Sequence, residues 1–187
     1  ILKKIIILIF VFLVQSQTIF GQITANKTSG CAPLTGVQFS SPTTGDWDFG
    51  NGASATAQLG GTNISTIYAD HGVYTVTFDD GSGPITETIT VYGNPTPAFL
   101  IDGPESGCVP FSTSFGDSSE AQGSSSIVGW QWAFGDGAAS TFKNPNHTYT
   151  ILGTYTVSLI VTDNNGCDST AVKTDYVSVQ NAPTASF

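Results

Sequence analysis

Apolar and polar residues alternate over several short stretches of this chain, the pattern of strands with one buried and one wetted face. Tyr155, Val157, Leu159 and Val161 alternate with small polar residues, and Tyr74, Val76 and Phe78 do the same. Val128, Trp130, Trp132 and Phe134 share one parity, as do Trp47 and Phe49, so each aromatic stretch reads as a strand aimed at a core. Ile85, Ile89 and Val91, and later Val177 and Val179, supply closing strands. Gly, Pro, Asn and Asp clusters separate these runs, which predicts an all-β fold of antiparallel sandwiches.

The pattern occurs twice. Trp47-Asp48-Phe49-Gly50-Asn51-Gly52 recurs 85 residues later as Trp132-Ala133-Phe134-Gly135-Asp136-Gly137. Each copy leads into Gly-x-Tyr-Thr-Val, first at Gly72 to Val76 and then at Gly153 to Val157. Gly30-Cys31-Ala32-Pro33 matches Gly107-Cys108-Val109-Pro110. Asn94 to Phe99 matches Asn181 to Phe187 with one inserted residue. The period is too long for a solenoid and suits two small tandem modules, with a third beginning at 181–187. A Gly on each side of Asn51 or Asp136 is hairpin-turn chemistry, because positive φ is needed where Gly, Asn and Asp sit at least cost. The exchange of Asn for Asp there argues against a required carboxylate.

The first 21 residues read as a signal peptide. Lys3 and Lys4 precede ten unbroken apolar residues, Ile5 to Val14, too few to span a bilayer. Cleavage near Gly21 leaves three lysines against 14 acidic residues, a net charge of −11. Such a chain repels phosphate backbones, which argues against a nucleic-acid partner. Aromatic residues make up 11% of the chain, which sets it apart from a disordered acidic tail. Past the leader, no second apolar run suggests an integral membrane protein.

The second copy carries Trp-x-Phe-Gly-Asp-Gly, then Asn144-Pro145-Asn146-His147-Thr148-Tyr149, then Gly153-Thr154-Tyr155-Thr156-Val157 and Leu159-Ile160-Val161-Thr162-Asp163. This series resembles the PKD (polycystic kidney disease) domain, an immunoglobulin-like β-sandwich, over residues 94–180. The first copy, residues 22–93, is a degenerate version: Asn51 replaces the turn Asp, the Asn-Pro-x-His stretch is missing, and Tyr68 alone stands in the place of Tyr149. Gly-Cys-x-Pro and Asn165-Gly166-Cys167 are similar to PKD arrays in large secreted or surface proteins of Bacteroidetes-type bacteria. The resemblance implies exported modules that space, adhere, or bind protein or polysaccharide at the cell surface, without catalysis and without a cofactor. The chain then reads as a monomeric fragment of a longer protein. The alternative is an accessory N-terminal region of a secreted polysaccharide- or protein-degrading hydrolase whose catalytic domain follows Phe187.

Export exposes cysteines to oxidising conditions. Cys108 opens the second copy and Cys167 lies in a late turn, so the expectation is a Cys108–Cys167 bridge within that sandwich. Gly81-Ser82-Gly83-Pro84 occupies the equivalent turn of the first copy, which leaves Cys31 free and packed or paired with another molecule. Reduction is then expected to weaken only the second sandwich.

Catalytic readings find no support. His71 and His147 are not equivalent, since His147 aligns with Thr66, and neither accompanies a nucleophile motif. A turn-capping or buried imidazole is the expectation for His147. Zinc needs more Cys and His than the chain offers. Calcium has weak candidates in Asp46, Asp48 and Asp163, in strands and turns where hard oxygen ligands gather, although their spacing matches no known loop and solvated surface carboxylates are the favoured reading.

Overall fold

The computed structural model describes residues 22–52, 54–56 and 64–183. The expected leader at 1–21 and the end of the expected third repeat at 184–187 lie outside the described residues. The first half contains β1 (Thr24–Ala25), β2 (Ser29–Cys31), β3 (Leu34–Ser40), β4 (Asp46–Asp48), β5 (Ser54–Thr56), β6 (Ile64–Tyr68), β7 (Gly72–Asp79) and β8 (Ile85–Tyr92). The second half contains β9 (Phe99–Asp102), β10 (Ser106–Cys108), β11 (Phe111–Asp117), β12 (Ile127–Ala133), β13 (Ala139–Ser140), β14 (Asn146–Tyr149), β15 (Gly153–Asp163) and β16 (Asp168–Gln180).

The two halves share one topology. In the first, a sheet ordered β1-β3-β6 faces a sheet ordered β2-β8-β7-β4-β5; in the second, β9-β11-β14 faces β10-β16-β15-β12-β13. Every strand of the second half thus occupies the position of the strand eight places earlier. Pairing is antiparallel except where the short edge strand joins the last strand, β2 on β8 and β10 on β16, which run parallel. A three-stranded sheet packed on a five-stranded one with these crossovers is the antiparallel sandwich expected from the alternation and the immunoglobulin-like form that the resemblance implied.

Each sandwich has its own core. Val37, Phe39, Trp47, Phe49, Tyr68, Val76, Phe78, Ile89 and Val91 are buried in the first. Phe99, Phe115, Trp132, Phe134, Tyr149, Val157, Leu159, Val161, Val177 and Val179 are buried in the second. The predicted inward parity therefore holds along β4, β7, β8, β15 and β16, and large aromatic side chains supply much of the apolar area that so small a unit buries. Val128 departs from the expected parity and is 58% exposed. The register of β12 against β15 shifts between Ile127 and Gly129, and the extra residue turns Val128 outward. Trp130, past the shift, is half-buried, and its indole N–H donates to the Asp117 carboxylate at 2.9 Å.

Candidate functional site

The duplicated aromatic-turn motif folds into the same clamp in both sandwiches. Trp132 and Phe134 point inward from β12, and the chain turns sharply at Gly135, whose φ is 88°. A Cβ there would stand 2.5 Å from the Thr156 carbonyl oxygen, so backbone conformation and close approach both demand glycine. Gly50, with φ 70°, meets the Thr75 carbonyl in the same way at 2.6 Å. Gly52 and Gly137 also hold positive φ. Tyr149 reaches across the core and donates its hydroxyl to the Phe134 carbonyl at 3.1 Å. Tyr68 donates to the Phe49 carbonyl at the same distance, which makes Tyr68 the counterpart of Tyr149. Tyr155, two residues after Gly153, stacks on Tyr149 with ring centroids 4.4 Å apart and donates to the Ile151 carbonyl; Tyr74 packs on Tyr68 at a tilt, with centroids 4.6 Å apart, and donates to the Asp70 carbonyl.

Asp136 and His147 complete the second clamp. One Asp136 carboxylate oxygen accepts the Ala138 N–H at 3.0 Å, and the other meets His147 Nε2 at 2.8 Å. The His147 ring lies flat on Phe134, with centroids 4.2 Å apart. In the first sandwich the neutral pair Asn51 and Thr66 replaces them: the Asn51 amide donates to Thr66 Oγ1 at 3.1 Å and to the Ile67 carbonyl at 2.9 Å. The two pairs perform the same bridging, and Asp136 with His147 fastens the turn.

Burial works to raise the pKa of Asp136, but the Ala138 N–H and His147 outweigh it and hold the carboxyl below its ordinary value. Burial likewise opposes, and donation from Cys167, Ser125 and Asn165 overcomes, the shift at Asp163. A carboxyl depressed on folding contributes stability above its unfolded pKa of about 3.9 and loses it as pH falls through the folded value. The second sandwich should therefore lose stability as pH drops below about 4. Asp136→Asn should flatten part of that decline, and equal acid dependence of melting in variant and parent would count against the assignment. At the alkaline end, burial and Tyr74 push Tyr68 up to about 12, and burial with Asp136 pushes Tyr149 up as well. Both hydroxyls remain donors at neutral pH.

The cysteine pairing differs from expectation. Cys31 is bonded to Cys167, with Cα atoms 5.5 Å apart, and Cys108 is free and exposed. The expected Cys108–Cys167 bridge is ruled out by strand geometry. Cys108 pairs with Gln180 at the far end of β16, whereas Cys167 immediately precedes Asp168 at its near end. That strand length separates them by roughly 40 Å, far beyond the ~7 Å limit for a bridge. Cys31, on β2 opposite Tyr92, stands where the chain leaves the first sandwich, and the β15–β16 turn of the second folds back to that point. Cys31 is therefore neither free nor intermolecular.

Other contacts gather at this junction. The Asn94 amide donates to the Ala32 carbonyl at 2.6 Å. A cleft of about 280 Å³ between the sandwiches is lined by His71, Tyr92, Gln122, Asn164 and Asn165. Asp163 shapes the turn that presents Cys167: its side chain, 2% exposed as a residue, accepts the N–H groups of Asn165 and Cys167, each at 2.9 Å. The sequence signal missed for Asp163 is its position four residues before the turn cysteine.

The calcium candidates are not brought together. Asp48 accepts the Gly50 N–H at 2.9 Å, Asp46 is exposed on the same strand, and Asp163 belongs to the other sandwich. Among the described residues no group of three or more His, Cys, Asp or Glu side chains converges on one point, and no helix is long and apolar enough to cross a membrane.

The topology and the turn clamps define a pair of immunoglobulin-like β-sandwich modules. Residues 94–179 match the PKD domain family, and the second sandwich is a PKD domain. The chain is 37% identical over 89 residues to the microbial collagenase of Vibrio alginolyticus, covering 48% of this chain and 11% of that protein. It is 40% identical over 76 residues to collagenase ColQ1 of Bacillus cereus, covering 41% of this chain and 8% of that one. The PKD1 domain of Vibrio anguillarum Epp is 32% identical, with 46% of this chain and 96% of that domain aligned at a TM-score of 0.40. The chain thus spans only about a tenth of the length of these collagenases.

Proposed function

We propose that residues 22–180 are a non-catalytic, exported pair of PKD modules that spaces or presents other parts of a larger bacterial protein at the cell surface. The first sandwich is a degenerate copy of the second, and the partners are extracellular protein or polysaccharide. The observation that carries this reading is the Cys31–Cys167 bond. It fastens one sandwich to the next, a requirement of a spacer, and it suits an oxidising compartment. The polar side chains of the motifs support the same reading, since Asp136, His147, Tyr149 and Asp163 are engaged in holding turns and strands.

A second reading is favoured by the relatives: the pair is an accessory region of a protein-degrading enzyme, as the collagenase matches suggest. In both readings these modules lack hydrolytic activity of their own. Purified residues 22–180 are expected to be monomeric, to show β-type circular dichroism, and to leave collagen, gelatin and a polysaccharide panel intact. Hydrolysis that co-purifies with the fragment through repeated chromatography would overturn the proposal. A catalytic domain after Phe187 would select the accessory reading, and further sandwiches with a sorting region the array.

A further inference from the structure

We propose that Cys108 forms a disulfide with the turn cysteine of the sandwich that follows Gln180, repeating the staple between the first two. The observation that points to a partner is the bond made by its equivalent, Cys31. The two cysteines occupy the same place: Cys31 lies opposite Tyr92 on a short parallel edge strand, and Cys108 lies opposite Gln180 on the matching strand. The flanking backbone agrees. The Ala32 N–H donates to Tyr92 at 2.9 Å and the Val109 N–H to Gln180 at 3.0 Å, while Thr90 and Ser178 donate to Thr28 and Glu105, each at 2.9 Å.

Each exit places an Asn beside the cysteine, with one more residue, Gly93, before it at the first. At the first junction the chain passes through Asn94, whose amide holds the Ala32 carbonyl beside Cys31. At the second, Asn181 follows the last strand, and the Cys108 thiol donates to its carbonyl at 3.7 Å. Asn181 to Phe187 repeats the residues Asn94 to Phe99 that lead into the second core, where Phe99 is buried.

The bonding is directional. The second sandwich offers Cys167 at its near end and Cys108 at its far end, whereas the first has only Cys31 at its far end and Gly81-Ser82-Gly83 in the turn. Such a head-to-tail contact adds one module after another without closing. The near-end half of the Cys31–Cys167 staple is a turn held by an acid, since Asp163 accepts the Cys167 N–H. The following sandwich is accordingly expected to carry an Asp four residues before its turn cysteine.

Formation of the bond is a two-electron oxidation. The Cys108 and partner thiols lose two protons and two electrons to the disulfide of an export-compartment thiol oxidant, through a mixed disulfide, and the oxidant leaves as a dithiol. The proposal requires a following sandwich and is independent of what the array binds.

Non-reducing peptide mapping of the full-length exported protein, alkylated at harvest, tests it. The expected result is Cys108 linked to a downstream cysteine of the same chain that precedes the final strand of its sandwich. Alkylated Cys108, a link to another molecule, or a chain with no such cysteine overturns the proposal. A second test joins another copy of residues 94–180 directly after Gln180. Cys108 should then bond to Cys167 of the appended copy, leaving only the terminal copy of Cys108 alkylated; alkylation of both copies of Cys108 would equally overturn it.

Discussion

Reduction of the Cys31–Cys167 bond is expected to lower the melting temperature of both sandwiches and release their fixed relation. Cys31 sits beside Asn94, where the chain crosses between the sandwiches. Unfolding the second sandwich alone therefore leaves a closed loop from the junction to Cys167, and unfolding the first leaves one from Cys31 to the junction. Each loop is of roughly 60–70 residues, which the chain-entropy account makes worth about 4 kcal/mol, less any strain. A bridge confined to one sandwich would protect only that one. Cys31→Ser with Cys167→Ser, compared with the parent by calorimetry, checks the stability, and solution scattering checks the orientation. A melting change in the second sandwich alone would contradict the cross-junction account.

Truncating Trp132 or Trp47 to alanine is expected to cost its sandwich about 3–5 kcal/mol, a large share of the 5–15 kcal/mol typical of a folded domain. Both indoles are 2% exposed and lie among aromatic rings: Trp132 against Phe99 and Phe115, Trp47 against Phe39 and Phe78. The close-packed surroundings relax only partly into the cavity left behind. Trp132 loses in addition the hydrogen bond from its indole N–H to the Phe142 carbonyl at 3.0 Å. Denaturant melts of the single variants measure the effect. A variant that keeps its midpoint but loses a glycan or protein ligand would recast that Trp as a binding platform.

The equivalence of Trp47 and Trp132 rests on repetition, which the sequence displays directly. The inward positions of β4, β7, β8, β15 and β16 follow from a period of two, because a strand with one wet face has only one way to bury its apolar set. The turns at Gly50 and Gly135 follow from backbone sterics, which no neighbour can relax. The equivalence of His147 with Thr66, and of Tyr149 with Tyr68, followed from counting residues. These are local properties, and sequence carries local properties well.

What the tertiary structure decided concerns which ends of strands share a place in space. Cys108 and Cys167 both belong to the second sandwich, yet they stand at opposite ends of β16, because β10 runs parallel to that strand and meets only its last residues. Cys31 belongs to the other sandwich and is nevertheless the neighbour of Cys167, since the β15–β16 turn returns to the junction. The same holds on a smaller scale for Val128, turned outward by a register shift that alternation does not announce. It holds also for Asp136, whose partner His147 comes from β14 in the facing sheet. Alternation marked the inward faces of β4, β7, β8, β15 and β16, and glycine chemistry marked the two turns, whereas the facing sheets β1-β3-β6 and β9-β11-β14 and the cysteine partners emerged only from sheet order and register, because pairing depends on distances that only the assembled sheets define.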